Sequence, residues 1–269
     1  MKIKPYFFIT LLLFISTLHL TAQPKTRVTK SSEAKPSNSN KKDQQHSNFI
    51  KINLTGIILK NYTLQYERSQ TKKISFALAF RSMPSTTIPF KNLIIRSVGN
   101  NDTDTKETIK KFRLRNFAFT PEIRFYLNKK GYGHGFYIAP FYRYANFETN
   151  NMVFTYENSL NVKSTISISG KLTGNTGGIL FGVQKYLGKH LCLDWWFFGP
   201  HYGSSTGNFN GISSNPLTPD EQDDLKKQLN DLDIPFTNKT VIVTANGASI
   251  KLDGPWAGLR TGISLGVKF

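Results

Sequence analysis

The sequence predicts an all-β fold: a transmembrane antiparallel up-and-down β-barrel of about eight strands with long extracellular loops, one carrying a short helix. Three observations predict it. Apolar side chains recur at every second position from Phe49 onward, the period of a strand with two unlike faces. The apolar face is large and aromatic, while the other carries Gly, Ala and Ser beside mid-strand charges. That is the inverse of a soluble sandwich, whose polar face meets water. Finally, the connections alternate between short and long along most of the chain, as short periplasmic turns and long outer loops would.

The chain opens "MKIKPYFFITLLLFISTLHLTAQPK". Lys2 and Lys4 form a basic start, residues 6–20 are mostly apolar, and Ala22 offers a small residue before a cut. This pattern is that of a secretory signal peptide over residues 1–22, with the mature chain beginning near Gln23. The run falls short of the roughly 20 apolar residues that a spanning helix needs. Residues 23–48 are rich in Lys, Ser, Asn and Gln and have no aromatic residue, so they are expected to form a disordered basic linker. Residues 49–269 remain for the barrel.

Composition adds two bounds. The 35 Lys and Arg outnumber the 17 Asp and Glu, for a net charge of +18, and the leader holds only two of the cations. Such a balance suggests anionic partners, and export argues against nucleic acid among them. The only cysteine is Cys192, so no internal disulfide framework exists.

Taken in order, Ile50, Ile52, Leu54 and Ile58 alternate with Lys51, Asn53 and Thr55. Tyr62, Leu64 and Tyr66 alternate with Thr63, Gln65 and Glu67, and Ile74, Phe76, Leu78 and Phe80 with Ser75, Ala77, Ala79 and Arg81. Phe117, Phe119, Ile123, Phe125 and Leu127 oppose Ala118, Thr120, Glu122 and Arg124. Phe136, Ile138, Tyr142 and Tyr144 oppose Tyr137, Ala139, Phe141 and Arg143. A Gly-rich strand over 172–186 has no facing that the pattern settles. Leu191, Leu193, Trp195 and Phe197 then oppose Cys192, Asp194, Trp196 and Phe198. Leu259, Ile263, Leu265, Val267 and Phe269 close the series against Arg260, Gly262, Ser264, Gly266 and Lys268.

With both termini periplasmic, the even connections at 69–72, 128–134 and 187–190 are short. The odd ones at 84–113, 147–171 and 203–256 are long, and only the turn at 60–61 departs from this. Within the long loops, residues 152–156 and 162–168 alternate, so strands are expected to continue above the membrane. Residues 240–245 and 248–252 flank Asn246-Gly247, a strong hairpin signal. "TPDEQDDLKKQLNDLD" (218–233) reads as a helix, with Thr218 as cap, Pro219 in the first turn and Asp220 and Glu221 at the positive dipole end.

The inward set contains Glu67, Glu122 and Asp194 against Arg81, Arg124, Arg143 and Arg260. An eight-stranded lumen is about filled by its own side chains, so these charges are expected to form a salt-bridged plug; a narrow ion or proton path is the alternative. Arg113 and Arg115 share the outward parity of Phe117, with Lys110 and Lys111 before them. Their guanidinium groups are expected to meet lipopolysaccharide phosphates at the outer rim, against the alternative of rim side chains that merely snorkel.

A catalytic reading rests on His201, which shares the outward parity of Trp195 near a strand's outer end. A lipid-acting enzyme of lipopolysaccharide deacylase or acyltransferase type would pair it with a serine on the same face. Position 203 is Gly, Ser204 has the other parity, and Ser205 has the outward parity but lies in the loop, so no catalytic residue is assigned. No closely spaced His/Cys cluster exists for a metal. "GNTGG" (174–178) lacks a following helix and fails as a phosphate loop. No cofactor is expected.

Four segments, "TPEIRFYL" (120–127), "GFYIAPFYRY" (135–144), "LDWWFFGPHYG" (193–203) and "DLDIPF" (231–236), together resemble an uncharacterised family of outer-membrane β-barrel proteins of gram-negative bacteria, a domain of unknown function. The resemblance spans about 49–269. It implies outer-membrane location and a barrel, and no established activity. Phe269, an aromatic ending the closing strand, resembles the signal that the barrel-assembly machinery reads in such proteins. The expectation is a monomeric, non-enzymatic envelope protein serving surface binding, adhesion or envelope integrity. Its partners would be outer-membrane lipid or lipopolysaccharide, the assembly machinery and an extracellular ligand. A secreted soluble barrel is the structural rival.

Overall fold

The computed structural model describes residues 47–98, 103–157, 163–231 and 234–269. The expected signal peptide and nearly all of the linker lie outside the described residues. The exceptions are Ser47 and Asn48, which already belong to the sheet: Asn48 opens the first strand, and the Ser47 carbonyl accepts from the Ser69 amide.

Eleven strands and four helices follow one another: β1 Asn48–Asn53, α1 Leu54–Ile58, β2 Tyr62–Ser69, β3 Ile74–Thr86, α2 Lys91–Ser97, α3 Thr103–Lys111, β4 Arg113–Tyr126, β5 Gly135–Glu157, β6 Lys163–Leu187, β7 Leu191–Phe198, β8 Pro200–Ser213, α4 Pro219–Asn230, β9 Asn238–Thr244, β10 Gly247–Leu259 and β11 Gly262–Lys268. Each of β1 to β6 pairs antiparallel with the next, β7 pairs with β11, and β11 returns to β1. The ring is therefore a closed antiparallel barrel of eight strands. Past Gly199, β8 prolongs β7 against the far half of β6, and β10 leads into β11 while pairing with β8. β9 pairs with β10 beyond the ring.

The period-two pattern becomes the wall of this barrel. Ile50, Leu64, Phe76, Phe80, Phe125, Trp195 and Val267 stand exposed on its outside, while Lys51, Gln65, Glu67, Ala77, Ala79, Arg124 and Ser264 are buried inside. The undecided β6 sends its even positions inward: Thr176, Leu180, Gly182 and Gln184 are buried. Small residues there make room for large ones across the lumen. A Cβ on Gly182 would come within 2.4 Å of the Tyr137 ring.

Two expected facings are corrected. Leu54 and Ile58 do not extend the first strand. The Asn53 side chain accepts from the Gly56 amide at 2.6 Å, capping the short helix α1 that carries both residues. Phe198, expected inside, is outside and 47% exposed. The register between β6 and β7 shifts there, Gly182 facing Trp196 and Phe181 facing Phe198. One extra residue in a strand flips all that follows, so β8 turns its odd positions inward, whereas β7 turns its even ones.

The turn end of the barrel has the three short connections expected. At the loop end the strands run on: β5 and β6 stay paired out to Glu157 and Lys163. The Asn246-Gly247 hairpin joins β9 to β10. Thr218 and Glu221 form a reciprocal capping box on α4. The 84–113 connection, read from sequence only as a long loop, contains α2 and α3. These elements enclose a second apolar core of Ile109, Phe112, Ile166, Ile168, Leu225 and Leu229, with Leu217 and Ala248.

Replacing Gly182 with Val should destabilise the barrel by about 1–3 kcal/mol through overpacking against Tyr137. The urea midpoint of the folded protein in micelles measures this, and an unchanged midpoint would contradict the facing given to β6.

Candidate functional site

Inside the barrel, the turn-end half is filled by one connected polar network. Arg124 is its hub. Its Nη1 donates to Asp194 Oδ2 at 2.7 Å and to Glu67 Oε2 at 3.0 Å, and its Nη2 donates to Glu122 Oε2 at 2.9 Å and to Gln65 Oε1 at 3.0 Å. Its guanidinium also lies over the Tyr137 ring, 4.5 Å from the centroid. Lys51 bonds Glu67, Gln184 and Asp194. The hydroxyls of Tyr126 and Tyr137 donate to Glu67 and Asp194, each at 2.7 Å. Ser75 donates to Glu67. Arg260 joins from the loop side, its Nη2 donating to Glu122 Oε1 at 2.7 Å.

Two properties stand out. Seven of the eight ring strands contribute, through β1 Lys51, β2 Glu67, β3 Ser75, β4 Arg124, β5 Tyr137, β6 Gln184 and β7 Asp194, and Arg260 joins from the link between β10 and β11. The ionic members also balance, Lys51, Arg124 and Arg260 against Glu67, Glu122 and Asp194. Buried charges persist when paired and hydrogen-bonded in this way.

Of the seven charges that the sequence placed in the lumen, five meet here: Glu67, Glu122, Arg124, Asp194 and Arg260. Arg81 and Arg143 also point inward but lie nearer the loop end, and no carboxylate pairs with either among the ion pairs of the described residues. Lys51 was missing from the expected set, although it shares the inward parity of Asn53. The uncharged members Gln65, Gln184, Tyr126 and Tyr137 carry no charge signal, and parity alone would have found them.

Above the network, Arg81, Arg143 and Arg260 line a cavity of about 180 Å³. Arg260 lies over the rings of Phe141 and Trp196, at 4.4 and 5.3 Å from their centroids. His201 lines the same cavity and meets Phe141 edge-on, with centroids 6.0 Å apart. Its outward placement from the sequence is thereby corrected: the irregularity at Phe197–Phe198 turns it into the lumen. Ser204 is exposed and Ser205 faces inward, again opposite to expectation, with its hydroxyl donating to the Gly254 carbonyl at 3.3 Å.

The rim cations are exposed. Arg115 lies 3.9 Å from Glu148, which also meets Lys171 at 3.4 Å. Lys110 pairs with Glu107 at 2.8 Å along α3. Lys111 and Arg113 are exposed beside them. Phe269 is exposed on the outside, and its backbone exchanges two 3.0 Å hydrogen bonds with Asn48. Among the described residues no group of three His, Cys, Asp or Glu could hold a metal.

Fold and interior together define a closed β-barrel with a polar, ion-paired lumen and an apolar exterior. No family model and no curated protein matches the chain, so function has to be argued from the chemistry of the interior and the surfaces.

Replacing Arg124 with Met should cost about 3–5 kcal/mol, because three carboxylates would lose their shared counter-charge inside the wall. Equilibrium unfolding in urea reads this loss. Replacing exposed Lys111 with Met should leave the midpoint unchanged.

Proposed function

We propose that the chain is a small outer-membrane β-barrel protein of a gram-negative bacterium, exported by its N-terminal signal peptide. In this reading it is non-enzymatic and serves surface binding or envelope integrity through its loop end. The observation that carries the placement is the inversion of the wall. Isoleucine, leucine, phenylalanine and tryptophan side chains stand exposed around the barrel, while lysine, arginine and glutamate are buried within it. Water would penalise that exterior, whereas a bilayer core requires it. Closure supports the same placement, because an unpaired strand edge is not tolerated in hydrocarbon. The resemblance drawn from the four sequence segments points the same way.

A binding role is supported by the loop end. Its strands, α3 and α4 share an apolar core of their own, so these loops present a shaped surface. The rim residues Lys110, Lys111, Arg113 and Arg115 fit lipopolysaccharide phosphates, with the Arg residues suited to bidentate pairing. Phe269 fits the role of an assembly signal. The balanced ionic plug fills the turn-end half of the lumen and favours a closed barrel over a channel.

Fractionation combined with heat-modifiable gel migration tests the placement. The protein should partition with outer membranes, resist SDS without heating and shift on boiling. A soluble protein that does not shift would overturn this reading and favour a secreted barrel.

A further inference from the structure

The lumen holds two more cations than its network consumes. Three cations and three carboxylates balance in the plug, and Arg81 and Arg143 are left over on the cavity side. Arg143 is 8% exposed, and Arg81 is half-buried with its Nε enclosed. Buried cations without a counter-charge are costly. Polar atoms in the cavity are also left over: Arg81 Nε, Arg260 Nη1 and His201 Nδ1 are buried with no hydrogen-bond partner, although buried donors are normally satisfied.

We infer that this cavity is a binding site for a phosphate monoester, gripped by Arg81, Arg143 and Arg260 with His201 beside them. Charge selects the ligand. A phosphate monoester carries about −1.5 to −2 at pH 7, which matches the surplus of two guanidinium groups. Guanidinium geometry suits phosphate oxygens in pairs. The volume fits as well: 180 Å³ is the share of about six water molecules, enough for one such group.

The wall beside the cavity has a structural seam. β1 pairs with β2 only as far as Ile52 opposite Leu64, and with β11 only as far as Asn53 opposite Ser264. Beyond these pairs, Tyr62 and Thr63 on one side and Gly262 and Ile263 at the start of β11 on the other are bridged by α1 instead of a strand. α1 turns Thr55 and Gly56 to the cavity and leaves Leu54, Ile57 and Ile58 exposed on the apolar side. Phosphate could therefore come from a lipid headgroup at this seam or from a soluble phosphate through the loop end. The cavity itself does not depend on the membrane placement proposed above; the lipid source does.

The test uses the mature chain folded in uncharged maltoside micelles and first checked for the heat shift. One arm measures bound inorganic phosphate by equilibrium dialysis. The other measures retention of a phosphatidic acid doped into the micelles. Binding is expected in at least one arm, and the arm names the source. Arg81→Gln and Arg143→Gln should each weaken binding by about tenfold or more, whereas Arg113→Gln with Arg115→Gln should leave it unchanged. Binding should also fall as pH drops through about 6, where the phosphate takes up a proton. Because both arginines are surplus cations, their Gln variants should raise the urea midpoint in phosphate-free buffer. A folded, heat-shifting barrel that binds in neither arm would overturn the site. So would equal loss in the rim variant, or a lowered midpoint in both Gln variants. A chain that shows no heat shift would instead count against the barrel reading itself.

Discussion

Arg124 and the carboxylates around it are the constraint on which the rest of the barrel depends. Seven of the eight ring strands send at least one side chain to this network. A slip of one residue in any strand would carry its member through the wall to the apolar side. Register is therefore fixed in seven strands by charge and hydrogen bonding, in a wall whose outer aromatics and aliphatics specify register only weakly. Glu122 shows how economical the arrangement is: one carboxylate ties Arg124 below it to Arg260 above it. The small residues follow from the same need. Ala77, Ala79, Ala139 and Gly182 yield the space that the long charged and aromatic side chains occupy.

The alternation of Phe76 with Ala77, or Phe125 with Arg124, made the wall legible in the sequence. The facing of each residue follows from the pleat alone, and parity placed all seven named charges inside. What parity could not see was any break in itself. The extra residue near Phe197 leaves no mark in "LDWWFFGPHYG", where aromatic residues occupy both faces in succession. The β8 residues beyond it were consequently read inside out, His201 included. The capping of α1 by Asn53 was hidden for a related reason: Leu54 and Ile58 are spaced by four, which suits either a strand or a helical turn. The uniform glycines of β6 concealed its facing because residues without side chains carry no pattern. Helices α2 and α3 fall in a polar, mixed stretch where propensity is weak and packing onto the loop-end core decides.

The interior divides into two regions of different character. The turn-end half is filled by three cations paired with three carboxylates. The loop-end half is cationic, partly open and holds unsatisfied donors. Nothing about barrel stability asks for Arg81 or Arg143, whereas the removal of any plug member strands its partners. The first half is accounted for by structure and the second by the anion proposed for it. The loop-end core, assembled from Ile109, Ile166, Leu225 and others, stands apart from both.

The seam between β1 and β11 carries a consequence for how the chain reaches this form. Phe49 faces Lys268 there, so the joint that turns a sheet into a barrel links opposite ends of the folded sequence. The hairpin of β5 and β6, by comparison, is local and long. Entropy of loop closure falls most heavily on the pairing with the greatest separation along the chain. The strand at that joint is also short, only six residues. The joint that closes the barrel thus carries the largest entropic cost on one of its shortest strands, which makes the two terminal strands the last expected to pair.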